Sequence, residues 1–319
     1  MGKLVRGQWS QEWYADDDKG HFIRDDTKFR ERVSADGSSR FTPEAGRYHL
    51  YVSLACPWAH RTLIARKLKR LESAISLSIV HPHMGENGWE FGAFPGSVPD
   101  EVNGTSYLRE IYTKAKSDYT GRVTVPVLWD KREQTIVCNE SRLLLRMLDR
   151  EFDAVGDPSV NLCPAQLEAA IDAEIDALYR PVNNGVYRAG FAVKQQAYED
   201  AVTELFQALD GYEQKLMSQR YLVGATLTEA DICLFTTLLR FDPVYYFHFK
   251  CNLRRLRDYP ALYGFVRDIY QMPGMAEICN FEHIKHHYYT SHPTINPNRL
   301  IPVGPIQDLE SPHDRARLG

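Results

Sequence analysis

Long apolar runs are absent from this chain. Nowhere in its 319 residues does a segment approach the roughly 18 consecutive apolar residues that a bilayer-spanning helix needs. A one-sided charge is absent as well. The 38 basic and 42 acidic residues are well mixed and leave a net charge of −4, which excludes the basic footprint of a nucleic-acid binder. Cysteine is sparse: Cys56, Cys138, Cys163, Cys233, Cys251 and Cys279 are scattered, and no two form a C-x-x-C pair. Neither a disulfide framework nor a two-thiol redox motif is therefore encoded. The opening stretch MGKLVRGQWSQEWYADDDKG lacks the apolar core of a secretory signal. Gly2 invites myristoylation, but Arg6 stands where serine or threonine is needed. The expectation is a cytoplasmic protein. Metal-ligand spacing is missing too. HIKHHYY supplies His283, His286 and His287 and HPH supplies His81 and His83, but no carboxylate or thiol completes a site, so no metal is expected.

What is present is ample apolar content, 44%, in a length that suggests two domains. Residues 1–45 are polar and irregular and read as an extension. From Arg47 the pattern changes. RYHLYVS alternates like a strand, WAHRTLIARKLKRL sets Leu63, Ile64, Leu68 and Leu71 at helical spacing, and AISLSIV alternates again. That order predicts a parallel strand pair with a crossover helix. From His81 to about Arg122 only SYLREIYTKA has a period, and connections this long are often functional. VTVPVLWD and TIVCN read as strands flanking a KREQ turn, and ESRLLLRMLDREF reads as a helix. The second half is helical through AQLEAAIDAEIDALY, QQAYEDAVTELFQALDGYEQKLM, TEADICLFTTLLRF and YPALYGFVRDIYQ. From about Pro293 the chain is proline-rich and polar, as a segment wrapping a surface would be. The expected divisions are an extension over 1–45, an α/β domain over 46–152 with an insertion near 81–122, a helical domain over 160–290, and a tail over 291–319.

The informative cysteine is Cys56, in YVSLACPWAH. Proline suits the first helical position because its missing N–H would be unpaired there, so Pro57 sets Cys56 at a helix N-cap. Backbone N–H groups and the positive helix pole then face the sulfur and favour the reactive thiolate, with Arg61 and His60 as further sources of positive field. The alternative is a buried cysteine at a strand–helix junction. Two other features bear on the choice. In VTVPV a proline interrupts a strand it cannot hydrogen-bond; a cis peptide before Pro126 would turn the Val125 backbone toward an extended ligand, whereas an edge-strand proline is the alternative. In CNESRLLL, Asn139, Glu140 and Ser141 open a helix whose N-terminus suits an anion, or simply cap it.

These three features, in this order, resemble the thioredoxin-like glutathione transferases: an α/β thioredoxin-like domain followed by an all-α domain. TLTEADICLF is similar to the capping segment of their helical domain, with Thr228 capping and Asp231 answering. CPWAHRTLI, NNGVYRAGFA, RFDPVYYFHFKCN and HIKHHYY look like one branch, the Xi-class glutathionyl-hydroquinone reductases. The resemblance implies glutathione as co-substrate, glutathionyl-hydroquinones as substrates and a homodimer. It assigns Cys56 as the nucleophile and Tyr187 and Tyr288 as partners of the hydroquinone, any one of the 18 tyrosines otherwise being a structural residue. It assigns glutathione to Val125, Pro126, Glu140, Ser141, Trp89 and Arg122; a core anchor and a solvated charge are the alternatives for the last two. Ala59 occupies the place of a resolving cysteine, so an external thiol must regenerate Cys56. A broader thiol transferase or dehydroascorbate reductase would use the same thiol site, and a non-catalytic scaffold is the remaining alternative.

Overall fold

The computed structural model describes residues 2–319, and their contacts form two units. The first contains the N-terminal residues through Trp13, Asp25–Asn161 and Asn280–Arg299. Its elements run from Lys3–Val5 (β1) and Gln8–Ser10 (β2) to Tyr48–Val52 (β3), Pro57–Leu68 (α1) and Ile75–Ile79 (β4). Leu108–Ala115 (α2), Gly121–Arg122 (β5), Val127–Asp130 (β6), Thr135–Cys138 (β7) and Ser141–Arg150 (α3) follow.

The main sheet has the order β4-β3-β6-β7. β3 and β4 are parallel, with Tyr48 opposite Ile75, as the β-α-β pattern predicts. β6 and β7 complete the sheet antiparallel. All five residues of β3 are buried, so this strand lies at the centre of the core and delivers the chain to Cys56. α1 and α3 pack against each other, and Pro57–Ala65 are buried without a break. The first two turns of α1 therefore lie wholly inside the fold, Arg61 included. The sixth strand is shorter than VTVPVLWD suggests. It begins at Val127, after a cis Val125–Pro126 bond, since proline offers no N–H to a ladder.

Two expectations about the chain's organisation need correction. The N-terminal residues are not an irregular extension. β1 pairs with β2 and also with β5, and Leu4, Val33 and Phe41 are buried. Three-residue strands are too short to show a period in sequence. The boundary at 290 also fails, because Phe281–Ser291, the last α-helix among the described residues, groups with the first unit. Its polar side chains explain why. His283 Nε2 bonds the Pro95 carbonyl at 2.7 Å and His287 Nδ1 the Pro82 carbonyl at 2.9 Å. His83 bonds Thr290 and the Met84 N–H donates to Ser291, each at 2.9 Å. A carbonyl only accepts, so those ring nitrogens of His283 and His287 carry the protons. The five histidines are the seam between this helix and the insertion. Among the described residues no cluster of His, Cys, Asp or Glu forms a metal site.

The second unit contains Tyr14–Arg24, Leu162–Cys279 and Leu300–Gly319. Its helices are Glu168–Leu178 (α4), Gly185–Gly190 (α5), Gln195–Ser218 (α6), Glu229–Leu238 (α7) and Pro260–Tyr270 (α8); the helix Phe281–Ser291 of the first unit is α9. Every residue of α7 is buried, which makes it the centre of this unit's core. The tail lies along α8, where Tyr263, Arg267 and Gln271 stand at successive four-residue steps. Tyr263 and Arg267 donate to the Asp308 carbonyl at 3.0 and 2.8 Å, and Gln271 to that of Leu309 at 2.8 Å. No described helix is long and apolar enough to cross a membrane.

α7 begins with the anticipated box of Thr228 and Asp231. Asp231 accepts from the Leu222 and Thr228 N–H groups at 2.7 and 2.8 Å and from the Thr228 hydroxyl at 2.8 Å. Burial nevertheless outweighs these bonds and pushes its carboxyl up to about 6. Between about pH 4 and 6 the folded chain therefore holds a proton that the unfolded chain has released. Stability from this group is complete below that window and is lost as pH rises through it, by roughly 3 kcal/mol. Asp231→Asn should flatten the fall in unfolding free energy between pH 4 and 6 measured by urea denaturation. An unchanged slope would mean that the carboxyl ionises in the folded state as it does in the unfolded chain.

Candidate active site

Cys56 is the N-cap of α1 with Pro57 at the first helical position. The His60 N–H closes the first helical turn on the Cys56 carbonyl at 3.0 Å, so the sulfur sits at the pole where unpaired N–H groups collect. Cys56 is also the one cysteine of the six that is not buried. Burial pushes the Cys138 and Cys279 thiols up to about 12 and raises that of Cys251 as well. Those thiols are chemically quiet at neutral pH.

The sulfur faces the second feature picked out in sequence. Cys56 Sγ donates to the Val125 carbonyl at 3.8 Å, and the bond from Val125 to Pro126 is cis. Val125 and Pro126 are both buried. Residues separated by 69 positions thus form one edge, at which a thiol and a turned backbone face the same space.

The third feature is the start of α3. Glu140 is its N-cap, and its Oε2 accepts the Arg142 and Leu143 N–H groups at 3.0 and 3.1 Å. Capping, the plainer of the two readings, is therefore realised. Ser141 is buried, and its hydroxyl accepts from Arg61 Nη1 at 3.4 Å. Arg61 is a buried cation whose guanidinium lies 4.5 Å from the Trp58 ring centre. Sequence offered Arg61 as a source of positive field at the thiol; the structure also brings it to the α3 N-terminus, where it adds positive charge to an anion-favouring pole.

Trp89 is buried and stacks on His287 of α9, with ring centres 4.8 Å apart and an interplanar angle of 26°. Tyr288 is buried beside it, edge-on to His287 at 5.1 Å and to His292 at 5.7 Å. Arg122 is a hub for the N-terminal segment. It donates to the Glu12 and Trp13 carbonyls and pairs with Asp25. The guanidinium is buried and bonded, so the solvated-charge alternative does not hold. Tyr187 belongs to the second unit, on α5, where its ring lies 5.6 Å from Phe249 and 6.0 Å from Tyr245.

Comparison with known proteins places this arrangement. The model of the glutathione S-transferase N-terminal domain matches residues 55–151, and that of the C-terminal domain matches residues 195–268. The glutathionyl-hydroquinone reductase YqjG of Escherichia coli K-12 is 53% identical, covering 99% of this chain and 98% of that protein. PcpF of Sphingobium chlorophenolicum, another glutathionyl-hydroquinone reductase, is 48% identical over 97% of this chain and 98% of its own length. Among solved structures, a Xi-class transferase from Natrialba magadii superposes with a TM-score of 0.95 at 51% identity, covering 100% of this chain and 97% of that one. The glutathione-bound structure of YqjG superposes with a TM-score of 0.91 at 51% identity, covering 98% and 99%. The chain belongs to the glutathionyl-hydroquinone reductases, the Xi class of the glutathione transferases.

Proposed function

We propose that this enzyme reduces glutathionyl-hydroquinones to free hydroquinones through Cys56 alone. The observation that carries the mechanism is the placement of one accessible sulfur at the α1 N-terminus, 3.8 Å from the Val125 carbonyl. The Cys56 thiolate attacks the glutathione sulfur of the substrate. The thioether C–S bond breaks, the hydroquinone carbon takes a proton, and a Cys56–glutathione disulfide forms. A second glutathione, as thiolate, attacks that disulfide, leaves as oxidised glutathione and restores Cys56. Ala59, buried in α1, offers no thiol in the resolving position, so the reductant is external.

Glutathione lies in this reading along the edge built by both loops. Its cysteinyl backbone pairs with Val125, next to Pro126. Its γ-glutamyl carboxylate meets Ser141 and the charge of Arg61, and its ammonium meets Glu140, whose Oε2 caps α3. Trp89 closes the insertion side. Arg122, already held by Glu12, Trp13 and Asp25, turns a further guanidinium N–H to a glutathione carboxylate. Tyr288 supplies a ring face and a phenol as proton donor to the hydroquinone; for Tyr187, on α5 of the second unit, the same role rests on the family resemblance alone. The enzyme acts in the cytoplasm as a homodimer.

The reaction should be followed as release of hydroquinone and oxidised glutathione from a glutathionyl-hydroquinone plus free glutathione. Cys56→Ser should lose at least about a thousandfold in turnover, since an alcohol replaces a thiolate nucleophile. Retained turnover in that variant would remove the mechanism. Release of oxidised glutathione from small disulfides, but never of hydroquinone, would favour a broader thiol transferase instead.

Capping and ligand binding by Glu140 are separable. Glu140→Gln keeps an acceptor oxygen for the α3 N–H groups and removes the charge. Its melting temperature should stay within a few degrees of native, while KM for glutathione rises about tenfold for the loss of one charge-assisted bond. A native KM would leave Glu140 with the cap alone.

A further inference from the structure

Glutathione is read onto two loops that lie in different parts of the chain, one at Val125–Pro126 and one at Glu140–Ser141. A single hydroxyl outside that site ties both together. Tyr112 of α2 is wholly buried, and its hydroxyl has four atoms at hydrogen-bond distance, the most distant being the Thr124 hydroxyl at 3.4 Å. It donates to the Thr124 carbonyl at 2.7 Å. It accepts from the Thr124 N–H at 3.2 Å and from Asn139 Nδ2 at 2.9 Å. Thr124 is the residue before Val125, and Asn139 is the residue before Glu140. A phenol oxygen offers one proton and two lone pairs, so this one is saturated.

The network has a fixed base. Asn139 exchanges hydrogen bonds with half-buried Phe29 of the N-terminal segment: its N–H donates to the Phe29 carbonyl at 3.0 Å and its Oδ1 accepts the Phe29 N–H at 3.2 Å. The Phe29 ring in turn stands edge-on to Tyr112 at 5.9 Å. Burial raises the Tyr112 phenol, so it stays protonated and keeps donating to Thr124. Tyr112 comes from SYLREIYTKA, the only periodic part of the insertion.

We propose that Tyr112 is a positioning residue for glutathione, whose hydroxyl holds the Thr124–Val125 backbone and the Asn139–Glu140 turn at the spacing one peptide must bridge. The proposal rests on the glutathione reading above and gives α2 a role in it. Tyr112 acts through Val125 and Glu140; Cys56 is set by β3 and α1 and meets this network only where its sulfur reaches the Val125 carbonyl. The insertion thereby contributes to glutathione affinity from behind the site.

Tyr112→Phe keeps the ring and removes the hydroxyl. The Kd for glutathione by calorimetry, and KM against kcat in the hydroquinone-release assay, should separate the possibilities. Kd and KM for glutathione should rise about tenfold, with kcat and the rate of Cys56 alkylation by iodoacetamide within about twofold of native. Tyr48→Phe is the control, because it loses a comparable buried bond, from the Tyr48 hydroxyl to the Thr42 carbonyl at 2.7 Å; it should lose stability and keep native Kd. Asn139→Ala removes the other half of the network and should raise Kd as Tyr112→Phe does, which keeps the test available if one variant fails to fold. A folded Tyr112→Phe or Asn139→Ala with native Kd overturns the positioning role. A native enzyme that shows no saturable glutathione binding would defeat the glutathione reading itself.

Discussion

The structure depends on one meeting: the amino end of α1, carrying Cys56, against the carbonyl edge of Val125. β3, buried along its whole length, ends where this meeting begins. Proline at the first helical position costs nothing there, and the positive helix pole favours a thiolate over a thiol. The five remaining cysteines are buried, and burial works in the opposite direction on a thiol. One sulfur is therefore chemically distinguished by its place in the fold.

The same device recurs at α3. Its N-terminus carries Glu140 as cap, and Arg61 brings a buried cation to Ser141. In the proposed reading two helix N-termini serve one peptide, the first with a nucleophile and the second with a pole for a carboxylate. With no second thiol at Ala59, the proposed mechanism gives the resolving step to solution glutathione. Site and reaction order are consistent: a monothiol enzyme needs an open sulfur that a second glutathione can reach.

Much of this could be read from residue order alone, wherever the cause is local. The Cys56–Pro57 cap, the proline in VTVPV, the capping box of Thr228 and Asp231, and the long periodic helices each rest on a few adjacent residues. What escaped is what depends on distant partners. β1 and β2 exist because β5 lies beside them, and a polar three-residue strand has no signature of its own. α9 follows the helical unit in sequence but joins the first unit through His283, His287, Thr290 and Ser291. Nothing near Arg122 in sequence showed that the carbonyls of Glu12 and Trp13 hold its guanidinium. Tyr112 gave no signal beyond a helical period, because its role lies in Thr124 and Asn139, 12 and 27 positions away.

The central claim is that Cys56 takes glutathione from the substrate before any second glutathione acts. The most direct measurement is intact-mass spectrometry after mixing the protein with a glutathionyl-hydroquinone in the absence of free glutathione. The account predicts one glutathione disulfide per chain, mapped to Cys56 by peptide analysis, with one equivalent of hydroquinone released. Hydroquinone release with no adduct on the protein, or an adduct on a different cysteine, would contradict it.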